Sequence, residues 1–477
     1  MAQPWYRLYG TWVLSWMMLW TTSFCCEGFM YGNLPFSTEH RIHTTSRSGS
    51  IHDDPKSFWQ LLAVSDDKEG DNYNHHNHKN FVMLVVGKII VDEYGPPEEL
   101  QPNITVGGGG PQAAMGAALG LAARGLLLEK KQHDKNLPPP KQPILFCGPV
   151  GDLDFSSPEE DALCDMLLPA LQFPPRFLRG KDWITPRIRL WHDSDQILQW
   201  YALQDSFGDQ GAGGLWAHVP STQDYLEMVD QLLLSNMDRQ KPRMILHMIA
   251  EGGAEAPGDN GDARPLWDSQ LREKLDFVGV EPILFPNEEG HVSEKDARYC
   301  SKILQQILDA TTTEEGGEGK SLQQQPSVVF SPDMAAYQGM AQADCLPQSD
   351  VLDSWAIRDG PKGSHLLVGQ GETTTESTRT TIIPAATLRQ LVNPTGAGNA
   401  YSAAYTALRG SGCDALLASC LATGVGAVFC EYAHCPPYTW DVIERVAQAS
   451  QEVKQQVVVD NDDEPLAVLQ EQQGVSS

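Results

Sequence analysis

Basic residues are scarce in this chain. Its 477 residues include 34 lysines and arginines against 62 aspartates and glutamates, a formal net charge of −28 at pH 7. Because such a surface repels phosphate backbones and anionic lipid headgroups, the composition argues against nucleic-acid binding. A phosphorylated ligand would need a local positive site made from backbone amides or a bound cation.

Several common motifs are also missing. The ten cysteines include no CxxC pair and no zinc-like spacing with histidine, so we expect reduced, mostly buried thiols. Gly319, Lys320 and Ser321 resemble the end of a P-loop, but the earlier glycine that this motif requires is replaced by Glu314. The glycine run at 107–110 lacks the third glycine of G-x-G-x-x-G, which argues against a dinucleotide-binding fold.

No apolar run reaches the length of a standard membrane span. Residues 11–24 are mainly apolar and near the length of a signal-peptide core, and residues 31–50 are rich in Ser, Thr, His and Arg. A leader of this kind over residues 1–50 would suit import into a plastid or another organelle. A cytoplasmic protein with a mispredicted start or a disordered extension is the alternative, and both stay open. We expect no stable membrane span in the mature protein.

The order of apolar segments predicts an α/β protein with a mostly parallel sheet and surface insertions. After a polar linker at 51–80, the run FVMLVVGKIIVD from Phe81 is typical of a continuous buried parallel strand. A glycine turn, a small-residue helix that Gly125 can end, and the strand PILFCGPVG complete a βαβ unit. We predict one domain over 81–455 and an acidic tail over 456–477. Further elements are predicted as strands at 243–249, 278–285, 327–330 and 365–368, and a helix at 294–308.

The strongest chemical motif is the segment NPTGAGN, residues 393–399, which leads into the helix AYSAAYTALRGSG. Gly396 and Gly398 permit a tight turn with exposed N–H groups before a helix N-terminus. Such a turn directs several N–H donors and the positive end of the helix dipole at one point, which suits a phosphoryl group in transfer. An ordinary structural glycine loop is the alternative explanation of this segment alone.

Taken together, the segments resemble the PfkB family of ribokinase-like carbohydrate kinases, whose last motif reads D-T-x-G-A-G-D. The resemblance covers roughly residues 81–431. It includes the opening strand to Asp92, the glycine turn at 107–110, CGPVGDLDF, VFSPDMAAYQGM, HLLVGQG, NPTGAGN and ATGVGAVFCE, in that order. The run GGGGPQAAMG, the Asn-Pro-Thr-Gly start of the last motif and Glu281-Pro282 further resemble the maintenance-of-killer-like branch.

The resemblance implies a three-layer α/β/α sandwich and ATP-dependent phosphoryl transfer to an alcohol of a sugar or nucleoside-like small molecule. Magnesium would bridge the ATP phosphates. The implied site residues are Gly396, Ala397, Gly398 and Asn399 for catalysis, Asp92, Gly108, Gly109 and Gly110 for the acceptor, and Gly369 and Gly371 beside the nucleotide.

The departures from the family pattern bear on activity. Asn399 stands where the family has the aspartate that serves as general base, and an amide cannot take up a proton at neutral pH. Asp333 and Ala336 stand where an Asn and a Glu usually help to hold magnesium, so magnesium binding is in doubt.

Two hypotheses follow. The first is a kinase, weakened because Asn399 replaces the base. The second is a catalytically silent nucleotide- or sugar-binding protein on the same fold. Arg187 and Arg189 could approach phosphate, but a surface strand with alternating charge explains them more simply.

Overall fold

The computed structural model describes residues 80–96, 103–128, 134–152, 155–180, 185–192, 198–204, 222–234, 241–251, 269–283, 292–312, 325–349, 351–368 and 380–457. Apart from Leu128, these belong to one unit formed by Asn80–Leu127 and Asp134–Ser477. The predicted leader, almost all of the linker and nearly all of the acidic tail lie outside the described residues, as does the P-loop-like segment.

The elements alternate along the chain as strands and helices. The strands are β1 (Phe81–Val86), β2 (Ile90–Tyr94), β3 (Asn103–Gly107), β4 (Ile144–Gly151), β5 (Arg176–Gly180), β6 (Arg187–His192), β7 (Leu198–Gln204), β8 (Arg243–Glu251), β9 (Phe277–Ile283), β10 (Ser327–Phe330), β11 (Leu352–Arg358), β12 (Ser364–Val368) and β13 (Thr380–Ile383). The helices are α1 (Gly109–Leu128), α2 (Ser157–Leu167), α3 (Thr222–Leu234), α4 (Ser269–Arg272), α5 (Glu294–Thr312), α6 (Met334–Gln342), α7 (Ala397–Gly410), α8 (Ala415–Cys430) and α9 (Trp440–Gln456).

A nine-stranded sheet forms the centre, in the order β13-β12-β11-β10-β9-β8-β1-β4-β5. Every pairing from β11 to β5 is parallel, and only β12 and β13 pair antiparallel at one edge. The prediction of an α/β protein with a mostly parallel sheet is confirmed.

Helices cover both faces of this sheet, because alternate residues of each strand point to opposite sides. Met83 and Val85 of β1 pack in a core with α1, α2, α7, α8 and α9, whereas Val82 and Leu84 pack in a second core with α3, α4, α5 and α6. The result is a three-layer α/β/α sandwich. No helix among the described residues is long and apolar enough to cross a membrane.

The apolar run from Phe81 is two strands and not one, so the prediction of a single continuous strand was wrong. β1 ends at Val86 and β2 begins at Ile90 in a different sheet. A Cβ on Gly87 would lie 2.6 Å from Cα of Gly110, so only glycine allows the chain to leave the sheet here. The break brings the start of α1 against the end of β1.

The second sheet has four strands in the order β3-β2-β6-β7. Glu93 of β2 pairs with both arginines of β6, at 3.1 Å to Arg187 and 2.6 Å to Arg189, and Arg187 also binds Glu159 of α2 at 2.8 Å. Arg189 and Glu93 are buried. These arginines therefore neutralise buried glutamates and do not form a surface strand with alternating charge.

Helices α1 and α7 run parallel with their backbones in close contact. A Cβ on Gly116 would collide with the backbone of Ala400, and one on Gly120 would lie 3.1 Å from Cβ of Ala404. In both contacts the two residues are separated by the same number of positions in the sequence. The two helices therefore run in the same direction and begin at the same end. Gly125 does not end α1, contrary to prediction, because the helix continues to Leu128.

Two glycines of α1 should therefore respond in opposite ways to a methyl group. Gly116→Ala should destabilise the protein by about 1–3 kcal/mol or more, since the backbone of α7 must move away. Gly125→Ala, with nothing within 4 Å of the new Cβ, should stabilise it by about 0.5–1 kcal/mol through helix propensity. Urea unfolding followed by circular dichroism measures both, and equal effects would contradict the close contact.

Candidate functional site

The carboxyl ends of the parallel strands meet along one edge of the central sheet. Ligand sites in open α/β sheets lie outside these ends. Helix α1 follows β3 in the chain but begins beside the end of β1, where the Gly110 amide donates to the Lys88 carbonyl at 3.1 Å. Its in-step contact with α7 puts the first turn of α7 at the same edge, so two helix N-termini face one place.

The first turn of α7 presents open amides. Gly396 precedes the helix with φ of 85°, a left-handed conformation that favours glycine. The Ala397 amide donates to the Pro394 carbonyl at 3.2 Å, and the Ala400 amide donates to the Gly396 carbonyl at 3.0 Å. Within the described part of the chain, the amides of Gly398 and Asn399 have no acceptor, and both residues are partly exposed. The turn is thus open to an anion.

The two predicted glycine turns meet at Asn399. A Cβ on Gly109 would lie 3.0 Å from Nδ2 of Asn399. The Asn399 Nδ2 group donates to Oε1 of Gln112 at 3.0 Å, and a Cβ on Gly396 would collide with the same Gln112 side chain. Gln112 was missed at the sequence level. Gln112 lies four residues before Gly116 and eight before Gly120, so it shares the face of α1 that contacts α7. This four-residue spacing was the signal available in the sequence.

Asp92 lies on the other side of the first glycine turn. A Cβ on Gly107 would lie 3.1 Å from its Oδ2 atom, and β2 pairs with β3 at Thr105. Gly108 has φ of 97° and passes so close to Lys88 that only glycine fits. Burial raises the pKa of Asp92 to about 7, with no opposing hydrogen bond or cation among the described residues. Its carboxyl group is therefore free to bind a hydroxyl group.

An arginine that the sequence motifs did not single out lies against the second glycine turn. Arg358 ends β11, and a Cβ on Gly398 would collide with its Nη1 atom. The same Nη1 donates to Oε1 of Glu281 at 2.6 Å, and the Glu281 side chain is fully buried at the end of β9. The signal was the sequence WAIRD, in which a charged residue ends a buried apolar strand.

His247 of β8 lies beside the Arg358–Glu281 ion pair and is fully buried. Thr406 donates its hydroxyl hydrogen to the Ser402 carbonyl, so its Oγ1 atom, 3.1 Å from Nδ1 of His247, accepts the imidazole proton. Nε2 then carries a lone pair and lies 3.9 Å from Oε2 of Glu281. Burial, and secondarily Arg358, lowers the pKa of His247 to about 3. His247 is neutral, so it leaves Arg358 as the cation that balances Glu281.

The side chains at this edge do not fit a magnesium site. Asp333 caps α6 by accepting from the Ala336 amide at 2.7 Å, and burial raises its pKa despite the opposing Arg358 charge. Ala336 has no ligand atom, and Glu281 binds Arg358. Within the described ranges, no three His, Cys, Asp or Glu side chains are grouped to hold a metal ion. The oxygen donors that magnesium prefers are engaged elsewhere or replaced.

Gly369 and Gly371, predicted to lie beside a nucleotide, are outside the described residues. The turn that follows β11 instead carries two glycines with positive φ, Gly360 at 52° and Gly363 at 103°. They form the connection to the antiparallel strand β12.

No family model matches the sequence, and no curated protein matches it. Solved structures are similar to it. A nucleoside kinase of Methanocaldococcus jannaschii, described as an archaeal member of the ribokinase family, aligns over 77% of this chain and 98% of its own, with 16% identity and a TM-score of 0.43. A ribokinase of Arabidopsis thaliana, complexed with ribose and ATP, aligns over 77% and 99%, with 14% identity and a TM-score of 0.44.

A ribokinase of Giardia lamblia aligns over 78% of this chain and 99% of its own, with 13% identity and a TM-score of 0.45. Similarities at these identities and TM-scores carry no argument about activity. The sheet order and the turn before α7 define the class of protein: an α/β/α sandwich with open amides at the N-terminus of α7.

The raised pKa of Asp92 predicts a pH-dependent loss of stability. The folded state holds this proton more tightly than the unfolded chain does, so the stabilisation is full below about pH 4 and is lost as pH rises through about 7. Asp92→Asn carries no such proton. We expect the variant to gain roughly 2 kcal/mol over the wild type between pH 5 and pH 8. Urea unfolding at the two pH values tests this, and a constant difference between the proteins would contradict it.

Proposed function

We propose that this chain is a ribokinase-like (PfkB-type) kinase that transfers the γ-phosphoryl group of ATP to an alcohol of a sugar or nucleoside-like small molecule. The observation that carries the proposal is the meeting of the two glycine turns, with Gly109 against Asn399 beside the open amides of α7. A transferring phosphoryl group and an acceptor alcohol must lie side by side, and this juxtaposition supports such an arrangement.

The phosphoryl side of the site is the turn Gly396–Asn399. The N–H groups of Gly398 and Asn399 face outward at the positive end of α7. Charge in phosphoryl transfer spreads over the equatorial oxygens, and fixed donors aimed at these oxygens stabilise it. Gly396 and Gly398 are required because side chains there would collide with Gln112 and Arg358.

The acceptor side is the segment from Gly107 to Gly110 with Asp92. Gly108 and Gly110 pack against the backbone that follows β1, while Gly107 lies against Asp92 and Gly109 against Asn399, so this segment joins the two sides of the proposed site. Asp92 would accept hydrogen bonds from sugar hydroxyls, and its free carboxyl group supports this role.

Asn399 would orient the attacking hydroxyl without taking its proton. Its Nδ2 group donates to Gln112, which leaves Oδ1 to accept a hydrogen bond from an alcohol. Because the transition state of phosphoryl transfer is loose, positioning and charge stabilisation supply most of the catalysis, and slow turnover is expected without a base.

The second candidate function is nucleotide or sugar binding without turnover. Two observations favour it. Asn399 cannot act as a base, and Asp333 and Glu281 are engaged in a helix cap and an ion pair instead of a metal site. A protein of this kind would bind ATP or a sugar and release it unchanged.

Asn399→Asp separates the two candidates. A carboxylate at this position, with Gln112 reversed to donate to it, supplies a base, and we expect turnover to rise about 10²- to 10⁴-fold. The measurement is phosphate transfer from ATP to a panel of sugars and nucleosides with magnesium. The control is Asn399→Ala, which should be slower than the wild type. No turnover by either the wild type or the aspartate variant, with ATP binding intact, would leave only the binding function.

Gly398→Ala tests the anion-accepting turn. The methyl group would collide with Arg358 and shift the open amides, so ATP-dependent thermal stabilisation should fall by at least half. Gly426→Ala is the matched control in α8, because its new Cβ would meet nothing closer than 3.5 Å. Equal stabilisation of both variants by millimolar ATP would argue against phosphate binding at the turn.

A further inference from the structure

Arg358 is a mostly buried arginine whose carboxylate partner leaves most of its hydrogen-bond donors unused. Within the described residues its guanidinium hydrogen-bonds only to Glu281, through Nη1, and the buried Nε atom has no partner. By contrast, Arg409 binds Asp353 through Nε at 2.9 Å and Nη2 at 2.5 Å, and also donates to the Cys413 carbonyl.

Buried contacts hold the Arg358 guanidinium in position. Glu281 is fully buried, and the Arg358 side chain is 12% exposed. The Arg358 backbone amide donates to the Pro332 carbonyl at 2.9 Å, which ties the end of β11 to the end of β10. Neutral His247 does not compete for Glu281. The cation is therefore held in place before any ligand arrives, which lowers the entropy cost of binding.

The guanidinium also lies beside the open amides. Since a Cβ on Gly398 would overlap Nη1, the guanidinium nitrogen is within roughly 5 Å of the Gly398 amide nitrogen by standard backbone dimensions. One tetrahedral anion can reach both groups. The donors next to it are the N–H groups of Gly398 and Asn399.

We infer that Arg358 is a ligand-contacting residue that completes the anion site of the α7 turn with charged hydrogen-bond donors, at an edge whose described side chains do not fit a magnesium site. This inference rests on the proposed function and deepens it. It assigns to the chain a metal-independent affinity for a phosphate or diphosphate group. Arginine suits this role because its planar fork binds phosphate oxygens in pairs.

A site of this kind would also overcome the repulsion between an acidic chain and a phosphorylated ligand. A chain with a net charge of −28 repels phosphorylated ligands at long range. The amides carry only partial charges, so the charged hydrogen-bond donors of the guanidinium beside them would strengthen the binding of a diphosphate without a bound metal ion.

The test is binding of pyrophosphate by the full chain in EDTA at constant ionic strength, measured by titration calorimetry. The variant is Arg358→Met with Glu281→Gln, because removing only the arginine would leave a buried, uncompensated carboxylate. We expect the double variant to bind pyrophosphate about 10- to 100-fold more weakly than the wild type. Arg358→Lys, which keeps the charge but loses the fork, should bind roughly 3- to 10-fold more weakly.

The matched control is Arg409→Met with Asp353→Asn. This pair joins β11 to α7 at the ends opposite the turn, whereas Arg358 and Glu281 join β11 to β9, so the control reproduces the loss of an ion pair without touching the turn. Its affinity for pyrophosphate should stay within about threefold of the wild type.

Each outcome bears on a different claim. If the wild type binds pyrophosphate and the Arg358 double variant binds it equally well, the role of Arg358 is overturned and the proposed function stands. If the wild type binds neither pyrophosphate nor ATP, the anion site itself fails, and the proposed function fails with it. If the double variant does not fold by circular dichroism, Arg358→Lys decides, and an affinity equal to that of the wild type overturns the inference.

Discussion

The close contact between two parallel helices is the constraint on which the rest of this structure depends. Gly116 of α1 lets the backbone of α7 approach at Ala400, and Gly120 repeats the contact one turn later. Parallel helices held in register must begin at the same level. The α1 and α7 N-termini therefore lie at one edge of the sheet, and residues almost 300 positions apart in sequence form one site.

The electrostatics of the site follow from that arrangement. The dipoles of two helices point their positive ends at the same place, and Arg358 adds charged hydrogen-bond donors there. Glu281 holds the arginine and lies near the end of β9, which β10 separates from β11, so the sheet itself sets the position of the guanidinium.

Burial shifts the pKa values of three ionisable groups around the site, and the groups have different partners. Asp92 has a raised pKa, no partner among the described residues, and a position next to a glycine turn. His247 and Asp333 are also buried, but each is used internally, one as a neutral donor to Thr406 and the other as a helix cap. The same physical cause therefore yields one group without a described partner and two that are structural.

The sequence by itself determined the α/β class, the mostly parallel sheet and the helix-starting turn at 393–399. These depend on local rules: apolar runs of strand length, small-residue helices, and glycines where only glycine fits. It also singled out Asp92 and Asn399 as residues for a site, through their places in motifs.

Only the tertiary structure decided which partners these residues have. The break at Gly87, the bond from Asn399 to Gln112, and the position of Arg358 between Glu281 and Gly398 all join segments far apart in the chain. The physical reason is that such contacts depend on the offset between α1 and α7 and on the order of the strands. Neither leaves a periodic signal in the sequence, because each is set by backbone packing over the whole sheet.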